Sequence, residues 1–173
     1  MGGFRKVLIQ PDNGWQDGGT LSFLDVFRVV YLGDQLNPGD FYTLNFSNNH
    51  TLTFSQQGHE LRNAITAVLR ANPTKSKVIL VAHSMGGLAA RAYLQGKADT
   101  FREDVAALIT VGTPHQGSME AKNCNLNAVA CRAAGKNPNS VAMNALIPNK
   151  PRKSAPVLVL RHFYMASAAV VSF

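Results

Sequence analysis

The chain has 173 residues, of which 46% are hydrophobic and 16% charged. This length suits one domain with a single core, and the composition excludes a disordered or fibrous protein. No apolar run approaches the ~20 residues that a membrane-spanning helix needs, so we expect no transmembrane segment.

The net charge of +7 is unevenly distributed along the chain. Residues 1–120 contain ten basic and ten acidic residues, whereas residues 121–173 contain seven basic residues and no acidic one. These basic residues are scattered among Asn and Pro, and no nucleic-acid-binding motif accompanies them. We interpret them as a solvated surface and expect no nucleic-acid partner.

The first half of the chain predicts two strands and one helix. Val7–Gln10, which begins with three apolar residues, predicts a short strand, ended by turn residues at 11–14. Residues 21–31 combine helical spacing with a β-branched end and are compatible with either element. A second strand is predicted over 41–46. A helix is predicted over 56–71, where apolar residues recur every three or four positions.

The second half continues the alternation of strands and helices. Strands are predicted over 77–82, 105–111 and 156–160, and helices over 85–96 and near 140–146. Uninterrupted apolar strands separated by helices predict an α/β fold, with a parallel sheet and crossover helices on both faces. We therefore expect residues 1–173 to form one domain.

A serine follows the strand at 77–82 and directly precedes a helix rich in small residues. Ala82 and Gly86 lie two positions before and after Ser84, close to the G-x-S-x-G pattern of a nucleophile elbow. Small residues are needed there because strand and helix approach closely at this sharp turn. Ser84 is thus a candidate nucleophile; the alternative is a serine that merely ends a buried strand. Adjacent side chains on such a turn diverge, so His83 is expected to pack rather than act as the base.

Two motifs resemble the α/β-hydrolase fold in its lipase/esterase branch. Ala-His-Ser-Met-Gly-Gly-Leu at 82–88 resembles the minimal bacterial triacylglycerol lipases. Gly-Thr-Pro-His-Gln-Gly-Ser at 112–118 is similar to those lipases and to the GPI inositol-deacylase-like esterases. The resemblance implies hydrolysis of carboxylic esters through an acyl-enzyme on Ser84, without metal or cofactor. It also implies a small-molecule or lipid ester as substrate, and is compatible with peripheral contact with a lipid interface.

The resemblance also assigns oxyanion donors. The backbone N–H of Met85 would be one, helped by the positive end of the following helix. The family's second donor follows a His-Gly pair after the first strand; here Gln10-Pro11 stands instead, which places Asp12 at the donor position. A shift of one residue would place Pro11 there, which has no N–H, and a plain turn is an equal alternative. The histidine matching His115 is usually structural.

The acid and base of the triad are less evident. The family order is Ser, acid, His, and the acid should follow the strand at 156–160, where this chain has Ala168. Because no acidic residue follows Glu120, Glu120 and His162 are the remaining acid and base candidates. We therefore predict a hydrolase core that lacks the last strand and helix, with residues 119–155 as a cap segment. The alternative is an impaired or truncated homologue that binds an acyl or lipid ligand without turnover.

Overall fold

A computed structural model describes residues 2–48, 51–95, 103–129, 159–160 and 168–172. Its elements alternate between helix and strand along much of the chain. In chain order they are α1 (Gly2–Leu8), β1 (Asp17–Leu21), α2 (Phe23–Phe27) continued by a π-helical turn (Arg28–Leu32), β2 (Phe41–Leu44), α3 (Phe54–Ala71), β3 (Val78–His83), α4 (Gly86–Leu94), β4 (Val105–Val111), α5 (Met119–Leu126), β5 (Val159–Leu160) and β6 (Ala168–Ser172).

The described strands form one six-stranded sheet in the order β1-β2-β6-β3-β4-β5. The pairs β1–β2, β3–β4 and β4–β5 are parallel, which confirms the predicted α/β class. One described strand departs from this parallel arrangement: β6 is antiparallel to both of its neighbours. Ala168, where the family places the acid, begins β6 and pairs with Leu44 on one side and Ala82 on the other.

The main core lies between the sheet and helices α3 and α4. The inward-facing residues of β3 alternate with half-buried ones, as a strand covered mainly on one face requires. The buried face of α3 packs on that core through Leu61, Ile65 and Val68. On the other face of the sheet, Arg5 of α1 donates hydrogen bonds to Thr20 and Thr43 and forms an ion pair with Asp17. Helices therefore contact both faces, as predicted.

The first strand lies further along the chain than the sequence predicts, and the prediction of a strand over Val7–Gln10 is wrong. Residues predicted as the strand Val7–Gln10 instead end helix α1 and enter a turn, with Val7 51% and Ile9 47% exposed. The edge of the sheet is formed by Asp17–Leu21, whose Leu21 is buried. Three consecutive apolar residues fit a helix end as well as a strand, so their pattern does not distinguish the two elements.

The other predicted elements that fall on described residues are confirmed with small shifts. Helix α3 begins at Phe54 rather than near 56, because Thr53 and Gln56 form a reciprocal capping box. The ambiguous segment 21–31 is a short strand end followed by a helix. The helix near 140–146 and most of the strand over 156–160 lie outside the described residues. Within the described ranges, no helix is long and apolar enough to cross a membrane.

Candidate active site

Ser84 stands at a sharp turn between β3 and α4. Its φ is +52°, a value that non-glycine residues rarely adopt. The Ser84 N–H donates to the carbonyl of Val111, the last residue of β4, at 2.9 Å. A left-handed residue at a strand–helix junction costs about 1–3 kcal/mol and persists only where the surrounding structure fixes it. This backbone has the geometry expected of a nucleophile elbow.

The elbow is held by close packing between α4 and the loop after β4. A Cβ added to Gly87 would overlap the hydroxyl of Thr113 and lie 2.9 Å from its Cβ. Ala82 is fully buried on the preceding strand, and Gly86 is buried at the start of the helix. Small residues at these positions therefore allow strand, helix and loop to meet around Ser84.

The first turn of α4 presents backbone donors beside Ser84. Met85 is the N-cap and makes no side-chain capping bond. The N–H of Gly87 donates to the Ser84 carbonyl and that of Leu88 to the Met85 carbonyl. To residues within the described ranges, the N–H groups of Met85 and Gly86 make no hydrogen bond. Such amides at the positive end of a helix can bind a developing oxyanion.

His115 is fully engaged in holding the loop to α4. Arg91 Nη1 donates to His115 Nδ1 at 2.9 Å, so Nδ1 is an acceptor and the ring proton lies on Nε2, which is 3.1 Å from Thr110 Oγ1. Burial, and then the charge of Arg91, lower the pKa of His115 below its ordinary value. A neutral imidazole with both nitrogens bonded is structural, in agreement with the expectation from sequence.

His83 lies next to Ser84, but among the described residues it forms no hydrogen bond with the Ser84 hydroxyl. It is half-buried at the end of β3, and burial lowers the pKa of its imidazole. Its Nδ1 is buried without a hydrogen-bond partner within the described part of the chain. Across the same described ranges, Ser84 Oγ accepts no hydrogen bond from any histidine and donates none to a carboxylate. Among the described residues, therefore, no general base is hydrogen-bonded to Ser84 Oγ.

The remaining site candidates are placed only in part. Glu120 is the second residue of α5, a helix that packs on α4 through Ala121 and Leu88. His162 lies outside the described residues, so its pairing with Glu120 and Ser84 stays a prediction. Asp12 lies in the turn that follows α1. Because the strand that should precede it is absent there, the reason for assigning it the second oxyanion N–H no longer holds.

The contacts that hold α4 against the loop after β4, and so support the elbow, were not predicted from the sequence. Gly87 against Thr113 and Arg91 against His115 join α4 to the loop after β4. One signal was available: Arg91 interrupts an otherwise small and apolar helix, and an arginine on such a face requires a buried partner. Within the described ranges, no cluster of three or more His, Cys, Asp or Glu side chains is placed to hold a metal ion.

Comparisons with known proteins agree with the α/β fold. The family model described as the PGAP1-like alpha/beta domain matches residues 32–133. The crystal structure of the mature lipase BlEst2 from Bacillus licheniformis superposes with a TM-score of 0.50 at 20% identity. That superposition covers 80% of this chain and 57% of the lipase, so the chain spans little more than half of its structural neighbour. No protein of curated function matches the chain in sequence.

Proposed function

The chain belongs to the family of PGAP1-like alpha/beta domains, and from this premise we propose that it is a serine ester hydrolase of the lipase/esterase type. Its substrates would be carboxylic esters, either small molecules or lipids. Ser84 would be the nucleophile, and Met85 would supply an oxyanion N–H. The lipase-like fold supports this reaction class, and the elbow geometry supports the assignment of Ser84.

In the proposed reaction, Ser84 Oγ attacks the ester carbonyl carbon while a base removes the hydroxyl proton. The carbonyl oxygen becomes an oxyanion that accepts a hydrogen bond from the Met85 N–H. Collapse of this intermediate breaks the bond to the alcohol, which takes the proton and leaves an acyl group on Ser84. Water then repeats the sequence and releases the acid. We assign His162 as the base and Glu120 as its acid, following the family order Ser, acid, His.

The observation that carries this proposal is the positive φ of Ser84 at the strand–helix turn. Backbone strain of this kind clusters at functional sites, and it raises the serine above the sheet where a substrate can reach it. The unbonded amides of Met85 and Gly86, noted above within the described ranges, lie directly after this residue. A serine that merely ended a buried strand would need neither feature.

A second candidate is a homologue that binds an acyl or lipid ligand without turning it over. It is favoured by the finding that no described histidine or carboxylate reaches Ser84 Oγ. Loss of the catalytic histidine in a serine protease lowers kcat by about 10⁶-fold, although binding and oxyanion contacts survive. An elbow without its base would therefore keep a binding site and lose nearly all turnover.

Labelling with a fluorophosphonate separates the two candidates, because this probe needs an activated serine. We expect the folded wild-type chain to be labelled and to hydrolyse p-nitrophenyl acetate. Ser84→Ala should abolish both, whereas Ser172→Ala, which changes a serine at the end of β6, should leave both unchanged. Absence of labelling and of hydrolysis in a cooperatively folded wild-type chain would favour the binding module.

A further inference from the structure

An apolar groove runs between the helical segment 23–32 and helix α3. Phe23, Val26, Phe27 and Tyr31 form one wall, and Leu44 at the end of β2 lies at its base. Asn63 and Glu60 of α3 complete the opposite rim. The volume of the groove is about 210 Å³, below the ~300–1,000 Å³ of sites that hold a whole drug-sized molecule, so it suits a part of a ligand such as an alkyl chain. Ser84 is not among the residues that line it.

The wall of this groove is an exposed row of aromatic rings. The rings of Phe23 and Phe27 have centroids 6.3 Å apart, and those of Phe27 and Tyr31 are 5.0 Å apart. Their spacing of four residues places them along one helical face of ~12 Å length. The three residues remain 48%, 39% and 61% exposed, in the same order. A continuous apolar strip of this kind on a single domain marks a binding surface.

The polar residues at the rim leave the groove open to an apolar ligand, because their charged groups are bonded to other protein groups. Both carboxylate oxygens of Glu60 accept hydrogen bonds from Ser47, one from its N–H at 2.9 Å and one from its hydroxyl. The charge of Glu60 is therefore oriented towards the β2–α3 loop. Arg28, in the helical segment, pairs with Asp34, two residues after its end, at 2.7 Å. Among the described residues, none that lines the groove is a cation, so its chemistry suits a neutral alkyl chain better than an anionic headgroup.

The position of the groove connects it to the elbow. Leu44 pairs with Ala168, and Ala168 pairs with Ala82, so Leu44 is level with the residue two before Ser84. Two inter-strand spacings separate Leu44 from Ala82, or ~10 Å across the sheet. Because β2 and β3 run in the same direction, both the groove and Ser84 lie at the carboxyl edge of the sheet.

We propose that this groove binds the alkyl chain of an ester whose carbonyl lies at Ser84. The proposal rests on the proposed function and deepens it, since it makes a chain of several methylenes part of substrate selection. Each methylene buried against the aromatic wall is worth ~0.8 kcal/mol, which corresponds to about fourfold in kcat/KM. For the wild-type chain, kcat/KM should therefore increase steeply with acyl length from acetate to octanoate esters.

The test uses Asn63→Trp, which would fill the groove from its rim. Asn63 is half-buried, and its neighbour His59 on the same helix is exposed and does not line the groove. His59→Trp is therefore the matched control. With p-nitrophenyl esters, we expect Asn63→Trp to lower the octanoate-to-acetate ratio of kcat/KM at least tenfold, and His59→Trp to leave it unchanged. Phe27→Gln, which removes part of the wall without filling the space, should lower the same ratio if the tryptophan variant fails to fold.

A binding measurement distinguishes failure of this proposal from failure of the proposed function. In a Ser84→Ala background, a fatty acid carrying an environment-sensitive fluorophore should bind saturably, and Asn63→Trp should weaken that binding at least tenfold. If no ester is hydrolysed but this binding effect is present, the groove stands and the hydrolase proposal fails. If esters are hydrolysed while neither the chain-length ratio nor the fatty-acid affinity responds to Asn63→Trp or Phe27→Gln, the groove proposal is overturned.

Discussion

Gly87 has no room for a side chain, because the loop after β4 crosses the first turn of α4 at this residue. A methyl group there would overlap the Thr113 hydroxyl. We expect Gly87→Ala to lower the free energy of unfolding by about 1–3 kcal/mol, the usual cost of overpacking. This cost should outweigh the higher helix propensity of alanine, which is worth about 1 kcal/mol. Urea unfolding followed by circular dichroism measures the change.

Thr113→Ala provides the matched control for this overlap. The Thr113 hydroxyl is buried and has no hydrogen-bond partner within the described ranges, so its removal alone should cost little. In the double variant, Gly87→Ala should recover part of its lost stability, since Thr113 Oγ1 and Cγ2, the two nearest of the three close atoms, are gone. A double-mutant cycle measures this coupling. Additive effects of the two substitutions would contradict the packing described for the elbow.

The neutral state of His115 makes stability dependent on pH. Its pKa in the folded chain lies below its ordinary value of 6.5, so the unfolded chain binds the proton more readily. The stabilisation from this group is therefore complete above about pH 6.5 and is lost as pH falls below it towards the folded pKa. We expect urea midpoints measured from pH 7.5 to pH 5.5 to fall with decreasing pH.

The variant His115→Asn tests the assignment of this pH dependence. An asparagine keeps an acceptor for Arg91 but does not titrate in this range. Its unfolding midpoint should fall less steeply with pH than that of the wild type. Some slope should remain, because burial lowers the pKa of His83 in the same direction. A slope identical to that of the wild type would show that His115 is not held neutral in the fold.

At the scale of elements, the capping box fixes where α3 begins. The Thr53 side chain accepts from the Gln56 N–H, and the Gln56 side chain accepts from the Thr53 N–H at 2.9 Å. Thr53→Ala should cost about 1 kcal/mol of unfolding free energy, as expected for loss of an N-cap. Thr51→Ala, two residues earlier at an exposed position, should remain within about 0.5 kcal/mol of the wild type. Chemical denaturation of both variants side by side decides the matter.

Elements with a strong internal signal could be predicted from the sequence. The periodic apolar face of α3 and the continuous apolar runs of β3 and β4 each support one type of element, and the structure confirms all three. The elbow at Ser84 was also recognisable, because small residues on both sides report a close approach of strand and helix. In each case the deciding information lies within one short segment.

The predictions that are wrong concern segments whose conformation is not decided within one short stretch of sequence. Val7–Gln10 is too short for its periodicity to separate strand from helix, and its conformation depends on Arg5 reaching Asp17 and Thr43. The place of Asp17–Leu21 at the edge of the sheet depends likewise on pairing with β2. Contacts between distant segments decided both, and no local pattern reports them. The oxyanion role predicted for Asp12 depended on the strand predicted over Val7–Gln10.

At the scale of the whole molecule, β6 joins the two parallel parts of the sheet. It pairs with β2 on one side and β3 on the other, and Val170 lies opposite both Tyr42 and Leu80. Without it, β1 and β2 would form a separate two-stranded unit, which is marginal in water. The apolar groove and Ser84 lie on opposite sides of β6, so this strand also sets the distance between them.

A proline at Val170 should therefore disrupt the whole fold rather than one edge. Proline removes a ladder N–H and is not tolerated inside a sheet, so Val170→Pro should cost ~3 kcal/mol or more. The conservative Val170→Thr variant keeps the N–H and a β-branched side chain, and should unfold close to the wild type. Fluorescence of Trp15, the single tryptophan, and far-ultraviolet circular dichroism can follow both variants in urea. An unchanged midpoint in Val170→Pro would contradict the interior position of β6, whereas a loss of cooperativity seen by both probes would show that the two parts of the sheet fold as one unit through this strand.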